Sequence, residues 1–442
     1  MKISRHLSAY LKYPKLYQKV HWYKKSQWFS KEEIQAHQLI QLQSLIKYAY
    51  ENIQFYKNLW DSKSIDPNIS TLKEFEKFPI ITKKQLREAI KSGHFKVKKD
   101  SIWLKTTGSS GDPFKFPTNL KDESYKYAVK IRINNWYKKT RQSSQVRFWR
   151  GKYKKSWKDK IIEKLKGEYN LCIYDPEYPF ETAINDDRIM YFIRKMNQIR
   201  PNIIDGYVSA LTEISNFILT KNIILEFTPN SIVTGAERLS PTNREKIEKA
   251  FKAKVFNRYG GTETSIVAHE CENQTRESNY LHVQDDRVYL ENNSKNELIF
   301  TDLTSRTFPF IRYNTRDLGI ISKDYSCSCG REFSVIKSLD GRINEWFELS
   351  NGKKISSHIW QNYFKRTMGV RKYQIIQITQ DKFQIYWIKN EDSFILEEFE
   401  SIKKLISNAL ANSTVEWIMT DHINPGPGGK FNQHIALKNH SK

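Results

Sequence analysis

Between Lys105 and Lys115 the chain reads Thr-Thr-Gly-Ser-Ser-Gly-Asp-Pro-Phe, and hydroxyls and glycines at that density between apolar, strand-like residues suit a loop that wraps phosphate oxygens. Thr106, Thr107, Ser109 and Ser110 each offer a hydroxyl donor, while Gly108 and Gly111 let backbone amides approach an anion with no Cβ in the way. The spacing is not that of a Walker loop, which ends in Gly-Lys-Ser/Thr. An ordinary surface turn draws on the same residue types. A nucleotide reading therefore needs support from segments further along the chain.

Two segments follow predicted strands: Gly235-Ala236-Glu237 and Tyr259-Gly260-Gly261-Thr262-Glu263. The second packs an aromatic face for a purine, glycines for close backbone approach, a hydroxyl for phosphate and a carboxylate for Mg²⁺ into five residues. A glycine turn with a buried tyrosine is the plainer account of the same residues. Asp317 closes Arg312-Tyr-Asn-Thr-Arg-Asp317, where a carboxylate could take both ribose hydroxyls, or simply pair with an arginine. Lys430 sits in the glycine-rich Pro425-Gly-Pro-Gly-Gly-Lys430 and could meet a phosphoryl or carboxylate oxygen as a point charge. A solvated loop lysine is its other reading.

The elements that would position these groups can be read from caps and periodicity. Ser30-Lys-Glu-Glu33 predicts a capping box opening a helix through about Tyr50, and Thr71-Leu-Lys-Glu74 and Thr82-Lys-Lys-Gln85 repeat the signal. Strands are predicted at 202–205, 231–234 and 254–258, with helices at 211–219 and from Ser240-Pro241 to about Phe251. This βαβ rhythm implies a parallel sheet, with ligands at the carboxyl ends of its strands. Beyond Arg342 a hairpin at 373–378 and 383–388, a helix at 396–410 and a strand at 415–420 predict a small α+β unit. The expectation is an α/β protein: a large N-terminal domain, 1–341, with a parallel-sheet βαβ core, and a small mobile C-terminal lid, 342–442.

With 442 residues, 13% aromatic content and no long uncharged apolar stretch, the composition is that of a folded protein with more than one core. The N-terminal residues scatter Lys and Arg among apolar side chains without a signal-peptide core, so a cytoplasmic protein is expected. Net charge is +24, which attracts anions such as nucleotide, coenzyme A, nucleic acid or phospholipid without choosing among them. Four cysteines do not make a disulfide framework in a chain of this length. Cys271, His282, Cys327 and Cys329 make a closed set of three sulfurs and one imidazole suited to structural Zn²⁺, and buried reduced cysteines remain the competing account.

Together and in this order, these segments resemble the adenylate-forming superfamily, specifically the phenylacetate-coenzyme A ligase family, over about residues 30–435. Most telling is Tyr259-Gly-Gly-Thr-Glu263, then His269-Glu-Cys271, Glu297-Leu-Ile-Phe-Thr301, Pro309-Phe-Ile-Arg-Tyr-Asn-Thr-Arg-Asp317 and Gly341-Arg342. The resemblance implies a phosphate-binding loop at 106–115, an adenine-side turn at Gly235-Ala236-Glu237 and adenine stacking on Tyr259. It implies an α-phosphate contact at Thr262, Mg²⁺ on Glu263, ribose on Asp317, a hinge at Arg342 and Lys430 bridging carboxylate and α-phosphate. The activity implied is AMP-forming ligation of a carboxylic acid to coenzyme A with ATP. The basic, tryptophan-rich stretch around 147–166 resembles capsule-associated relatives, which implies an amino-sugar or glycan acceptor and peripheral contact with the inner face of the membrane. Nucleic-acid binding would account for the charge but leaves the ordered motifs unexplained.

Overall fold

The N-terminal helices begin where the caps predict. The computed structural model describes residues 5–97, 99, 101–106, 114–175, 177–178, 181–182, 184–275, 279–342, 346–352, 354–356, 360, 363–364, 367, 369–410, 413–423, 431 and 433–437. Helices α1 (Arg5–Lys12), α2 (Leu16–Ser26), α3 (Lys31–Asn52), α4 (Gln54–Asp61), α5 (Leu72–Phe75) and α6 (Lys83–Lys91) come first. Ser30, Thr71 and Thr82 each accept from the backbone three residues on and receive a reciprocal Glu or Gln contact. Each box satisfies amides that a helix start leaves orphaned.

A hairpin of β1 (Ile102–Lys105) and β2 (Lys115–Thr118) leads into α7 (Leu120–Asn134) and β3 (Gln145–Phe148). Then come α8 (Trp157–Lys166), β4 (Glu168–Asn170), α9 (Asp186–Ile199), β5 (Ile203–Tyr207), α10 (Val208–Thr220), β6 (Ser231–Gly235), α11 (Pro241–Phe251) and β7 (Val255–Gly261). Strands β3 to β7 pair in parallel, as the βαβ rhythm requires. One face of this sheet packs on α9, α10 and α11 through Phe148, Ile204 and Ile232, and the other on α2 and α7 through Ile203, Val233 and Phe256.

The parallel sheet is only part of a larger one. β7 turns back on β8 (Ser265–Glu270), and β9 (Leu281–Val283), β10 (Val288–Asn292), β11 (Glu297–Asp302), β12 (Tyr313–Ser322) and β13 (Val335–Arg342) continue antiparallel. The order across the sheet is β10-β11-β12-β13-β9-β8-β7-β6-β5-β3-β4. The parallel βαβ core is present as expected, and an antiparallel half extends it. Hairpins need only short turns, so this half lacks the strand-to-helix alternation that made the first half legible.

Past Arg342 lie the hairpin β14 (Trp346–Glu348) and β15 (Lys354–Ser356), then β16 (Val370–Thr379), β17 (Lys382–Lys389), α12 (Leu396–Ala409), β18 (Thr414–Met419) and β19 (His434–Ile435). The expected ββαβ order is present, with β19 added beside β16. Phe347, Ile375, Ile385 and Ile406 belong to a hydrophobic cluster separate from those of the preceding residues.

Buried ion pairs stitch helices to sheet. Arg132 of α7, fully buried, pairs with Asp286 in the turn before β10, donates to Gln284 and to the Tyr23 carbonyl, and Asp286 also receives the Ser26 hydroxyl. Removing one partner strands a charge in the interior. Arg132→Met is expected to lower stability by about 3–5 kcal/mol in urea denaturation, with Arg132→Met/Asp286→Leu recovering part of the loss.

Candidate functional site

The sheet changes direction at β7–β8, and the turn between them carries the Tyr259–Glu263 segment at the carboxyl ends of the parallel strands. Gly260 is required there. At φ 155 its position lies outside what side-chain-bearing residues adopt readily, and a Cβ would sit 1.8 Å from the Ser265 carbonyl oxygen. The Gly261 amide donates to the Thr264 hydroxyl at 2.9 Å, closing the turn and leaving Thr262 exposed at its tip.

The Tyr259 hydroxyl donates to Asp317 Oδ2 at 2.8 Å. Asp317 stands on β12 opposite Arg342 on β13, so the expected aromatic, ribose and hinge residues are brought together. Arg342 and Gly341 thus occupy the last strand of the large sheet; Asn344 and Glu345 fall outside the described residues. Non-glycine residues at positive φ cluster here, Ala236 at 66 and Arg316 at 62, a conformation that costs about 1–2 kcal/mol and is held only where surroundings enforce it.

Glu237 accepts from the Ser209 amide at 2.6 Å and hydroxyl at 2.9 Å, which fixes it over the start of α10. The same carboxylate accepts the Phe431 amide at 3.3 Å. That contact joins the C-terminal segment to the turn at Gly235-Ala236-Glu237. Lys430 itself lies outside the described residues, as do Thr107, Gly108, Ser109, Ser110 and Gly111.

The base of that hydroxyl-rich loop is ordered by its own chain. The Thr106 amide donates to the Phe114 carbonyl, and the Thr106 hydroxyl accepts the Phe114 amide at 2.9 Å. Its oxygen is thereby committed to the loop's closure, though the hydroxyl proton can still be donated. Lys115 pairs across the hairpin with Lys105.

Lys83, overlooked in the sequence because it sits inside a capping box, approaches Glu263 to 3.1 Å and lies 5.9 Å from the Phe114 ring centroid. Ile81, two residues before it, bridges in parallel to Tyr313, and Arg312 donates to the carbonyls of Glu76 and Phe78 while pairing with Glu291. These contacts deliver the first turn of α6 to the edge of the site. Glu263, expected to be a Mg²⁺ ligand, is here neutralised by a lysine. Carboxylate oxygens are of the type that Mg²⁺ takes.

Cys271, His282, Cys327 and Cys329 also converge, with their ligand atoms all within 4.8 Å of one another. Cys271 and Cys327 sulfurs are 3.7 Å apart, and Cys329 Sγ is 3.5 Å from His282 Nε2. Tetrahedral Zn²⁺ with ordinary bond lengths would separate sulfurs by about 3.8 Å and sulfur from nitrogen by about 3.6 Å. Burial lowers the His282 imidazole pKa, and hydrogen bonding to the Cys327 and Cys329 sulfurs outweighs that and raises it to about 9 while no metal is bound. The set fits Zn²⁺, and Cys172 lies outside it.

No family model matches the chain. Among curated proteins it is similar to Protein CapK of Staphylococcus aureus, 26% identical over 404 residues, covering 89% of this chain and 86% of that one. It is also similar to the phenylacetate-coenzyme A ligase of Aromatoleum evansii, 24% identical over 62% of this chain and 63% of the relative. Among solved structures, 2-hydroxyisobutyryl-CoA ligase in its postadenylation state with R3-HIB-AMP superposes with a TM-score of 0.71 at 18% identity, covering 93% and 91% of the two chains. The same enzyme in its thioesterification state gives 0.55.

Proposed function

From the premise that this chain is an adenylate-forming, phenylacetate-coenzyme A ligase-like protein, we propose that it joins a carboxylic acid to coenzyme A at the expense of ATP. The carboxylate attacks the α-phosphorus, the bond to pyrophosphate breaks, and an acyl-adenylate forms. The coenzyme A sulfur then attacks the acyl carbon, giving up its proton, and AMP leaves. No side chain need form a covalent bond; alignment and charge neutralisation carry the reaction.

The observation that carries this reading is the convergence of Glu237, Tyr259, Asp317 and the Glu263–Lys83 pair on one sheet edge, with Phe431 tied to Glu237. Tyr259 would stack on adenine, Asp317 accept the ribose hydroxyls, and Thr262 contact the α-phosphate. Lys83 and the Thr106–Gly111 loop would take phosphate oxygens, with Lys115 at its edge. Glu263 would hold Mg²⁺, which supplies charge neutralisation at phosphate. Lys430, next to Phe431 in sequence, would bridge carboxylate and α-phosphate. We take residues 342–442 as a mobile unit hinged at Arg342 that withdraws Lys430 before thioester formation. Release of pyrophosphate over a panel of acids, with and without coenzyme A, tests the reaction. Lys430→Ala is expected to abolish acyl-adenylate formation while a supplied acyl-adenylate is still consumed by coenzyme A; equal loss of both steps would remove the lysine from chemistry.

The Cys271, His282, Cys327, Cys329 set would hold a structural Zn²⁺, because protein ligands fill every position and leave none for water. One zinc per chain is expected in freshly purified protein by elemental analysis. Cys327→Ser/Cys329→Ser should lose it together with thermal stability, and retention of the metal would refute the site.

Helix α8 favours a second acceptor. It buries no residue, and Trp157, Ile161, Ile162 and Leu165 are exposed on it by 67%, 47%, 46% and 42%. Lys158, Lys160, Lys164 and Lys166 surround them. Such a helix suits the interface of an anionic membrane, where a lipid-carried amino sugar or glycan could replace coenzyme A. No helix among the described residues is long and apolar enough to cross a membrane. Salt-sensitive sedimentation with phosphatidylglycerol vesicles, lost in Trp157→Ser/Ile161→Ser, is expected; no binding at low salt would remove this reading.

A further inference from the structure

The sheet itself places part of the Cys271, His282, Cys327, Cys329 set. His269 and Glu270 of β8 stand opposite His282 and Leu281 of β9, so the register of these strands brings Cys271, one residue past β8, beside His282. Cys327 and Cys329 lie off the strands. They belong to the stretch between Ser322, where β12 ends, and Val335, where β13 begins, and there the Gly330 amide closes a local turn on the Cys327 carbonyl at 2.9 Å. The turn shapes the pair of cysteines but does not aim it at Cys271.

Arg331 makes that connection. It donates from Nη1 and Nη2 to Glu272 Oε2 and Oε1 at 3.0 and 2.9 Å, and from Nε to Gln27 Oε1 at 3.2 Å. Arg331 lies two residues past Cys329 and Glu272 directly follows Cys271, so this two-pronged pair bridges the ligand-bearing segments next to their sulfurs. The guanidinium is also packed. It lies 4.7 Å from the Trp28 ring centroid and 4.4 Å from that of Trp136, whose indole donates to the same Gln27 oxygen at 3.0 Å. Little freedom is left to the side chain. Its guanidinium and its backbone amide both face the Cys329 sulfur. The same stretch is tied at Asp324 and Glu332 to Lys31, but those contacts lead to α3 and not to another ligand.

Zn²⁺ with three thiolates and a neutral imidazole carries a net negative charge, here among buried groups. N–H donors beside a thiolate relieve it. Before a metal binds, thiolates as close as Cys271 and Cys327, whose sulfurs are 3.7 Å apart, repel each other and need an outside constraint. A forked guanidinium–carboxylate pair is directional enough to supply one. We propose that Arg331 is the positioning residue of this metal centre: clamped to Glu272, it holds Cys327 and Cys329 at metal spacing from Cys271 and sets how tightly zinc is kept. The proposal rests on the zinc reading above.

Zinc affinity is measured by competition with a chromogenic chelator, and the melting temperature is followed with and without the metal. Arg331→Met is expected to weaken zinc binding about 10- to 100-fold and to narrow the gap between the zinc-loaded and zinc-free melting temperatures. Arg331→Lys, which keeps the charge and loses the fork, should lie between. Should Arg331→Met fail to fold, Glu272→Gln leaves the tryptophan contacts in place and is expected to weaken zinc by about tenfold. A packing role alone would lower both melting temperatures equally and leave the affinity within about twofold of the parent. That result in a folded Arg331→Met, or in Glu272→Gln where the first variant does not fold, overturns the assignment and leaves the zinc centre standing. Parent protein that takes up no zinc overturns both.

Discussion

A carboxylate inside a parallel sheet must be held by cations or be neutralised, and Asp205 imposes that condition on everything around it. To reach it, Arg258 must pass over β6, so β6 must present a glycine at the crossing. That arginine is the last residue before Tyr259, so anchoring it fixes where β7 ends and where the chain turns back into β8. Of the groups that face nucleotide in the proposed reaction, Tyr259, Thr262 and Glu263 are carried by that turn, and Glu237 follows β6, the strand paired to β7. A buried charge thus orders the site from below, while Tyr259 ties it to Asp317 from the other side.

Much of the frame was legible. Ser30, Thr71 and Thr82 marked helix starts to the residue, and the strand-helix alternation from 202 to 258 pointed to β5, β6 and β7, though not to β3 and β4 beside them. The antiparallel half was not, because short hairpin strands carry no intervening helix to announce them. In the site, Tyr259, Asp317 and Glu237 stood out by residue type and by lying after apolar runs. Lys83 did not, since its spacing reads as an exposed helix start and only the bridge from Ile81 to Tyr313 brings it near Glu263. Asp205 and Arg258 escaped for a related reason: each looks unremarkable in its own strand, and their partnership exists only across a third.

The two charged clusters near β7 are built differently. Asp205 is wrapped by donors from Gln145, Trp149 and Arg258, with Arg147 beside it. The Cys271, His282, Cys327 and Cys329 set is closed by comparison, its ligand atoms already converged on one another from three separate stretches of chain. The first suits holding β3, β5 and β7 together across the sheet; the second suits holding β8, β9 and the segment before β13 in register.

Among the described residues, C-terminal side chains reach the large sheet's helices through ion pairs. Arg371 reaches Asp186 and Glu213, Lys372 reaches Glu213 and covers the Phe431 ring, and the Phe431 amide reaches Glu237. Partly exposed ion pairs of this kind are screened over about 8 Å at physiological ionic strength and over still shorter distances in brine. An apolar contact would tighten with salting-out ions, whereas these pairs weaken with any electrolyte. Raising ionic strength therefore weakens the ion pairs that hold the C-terminal segment beside α9 and α10.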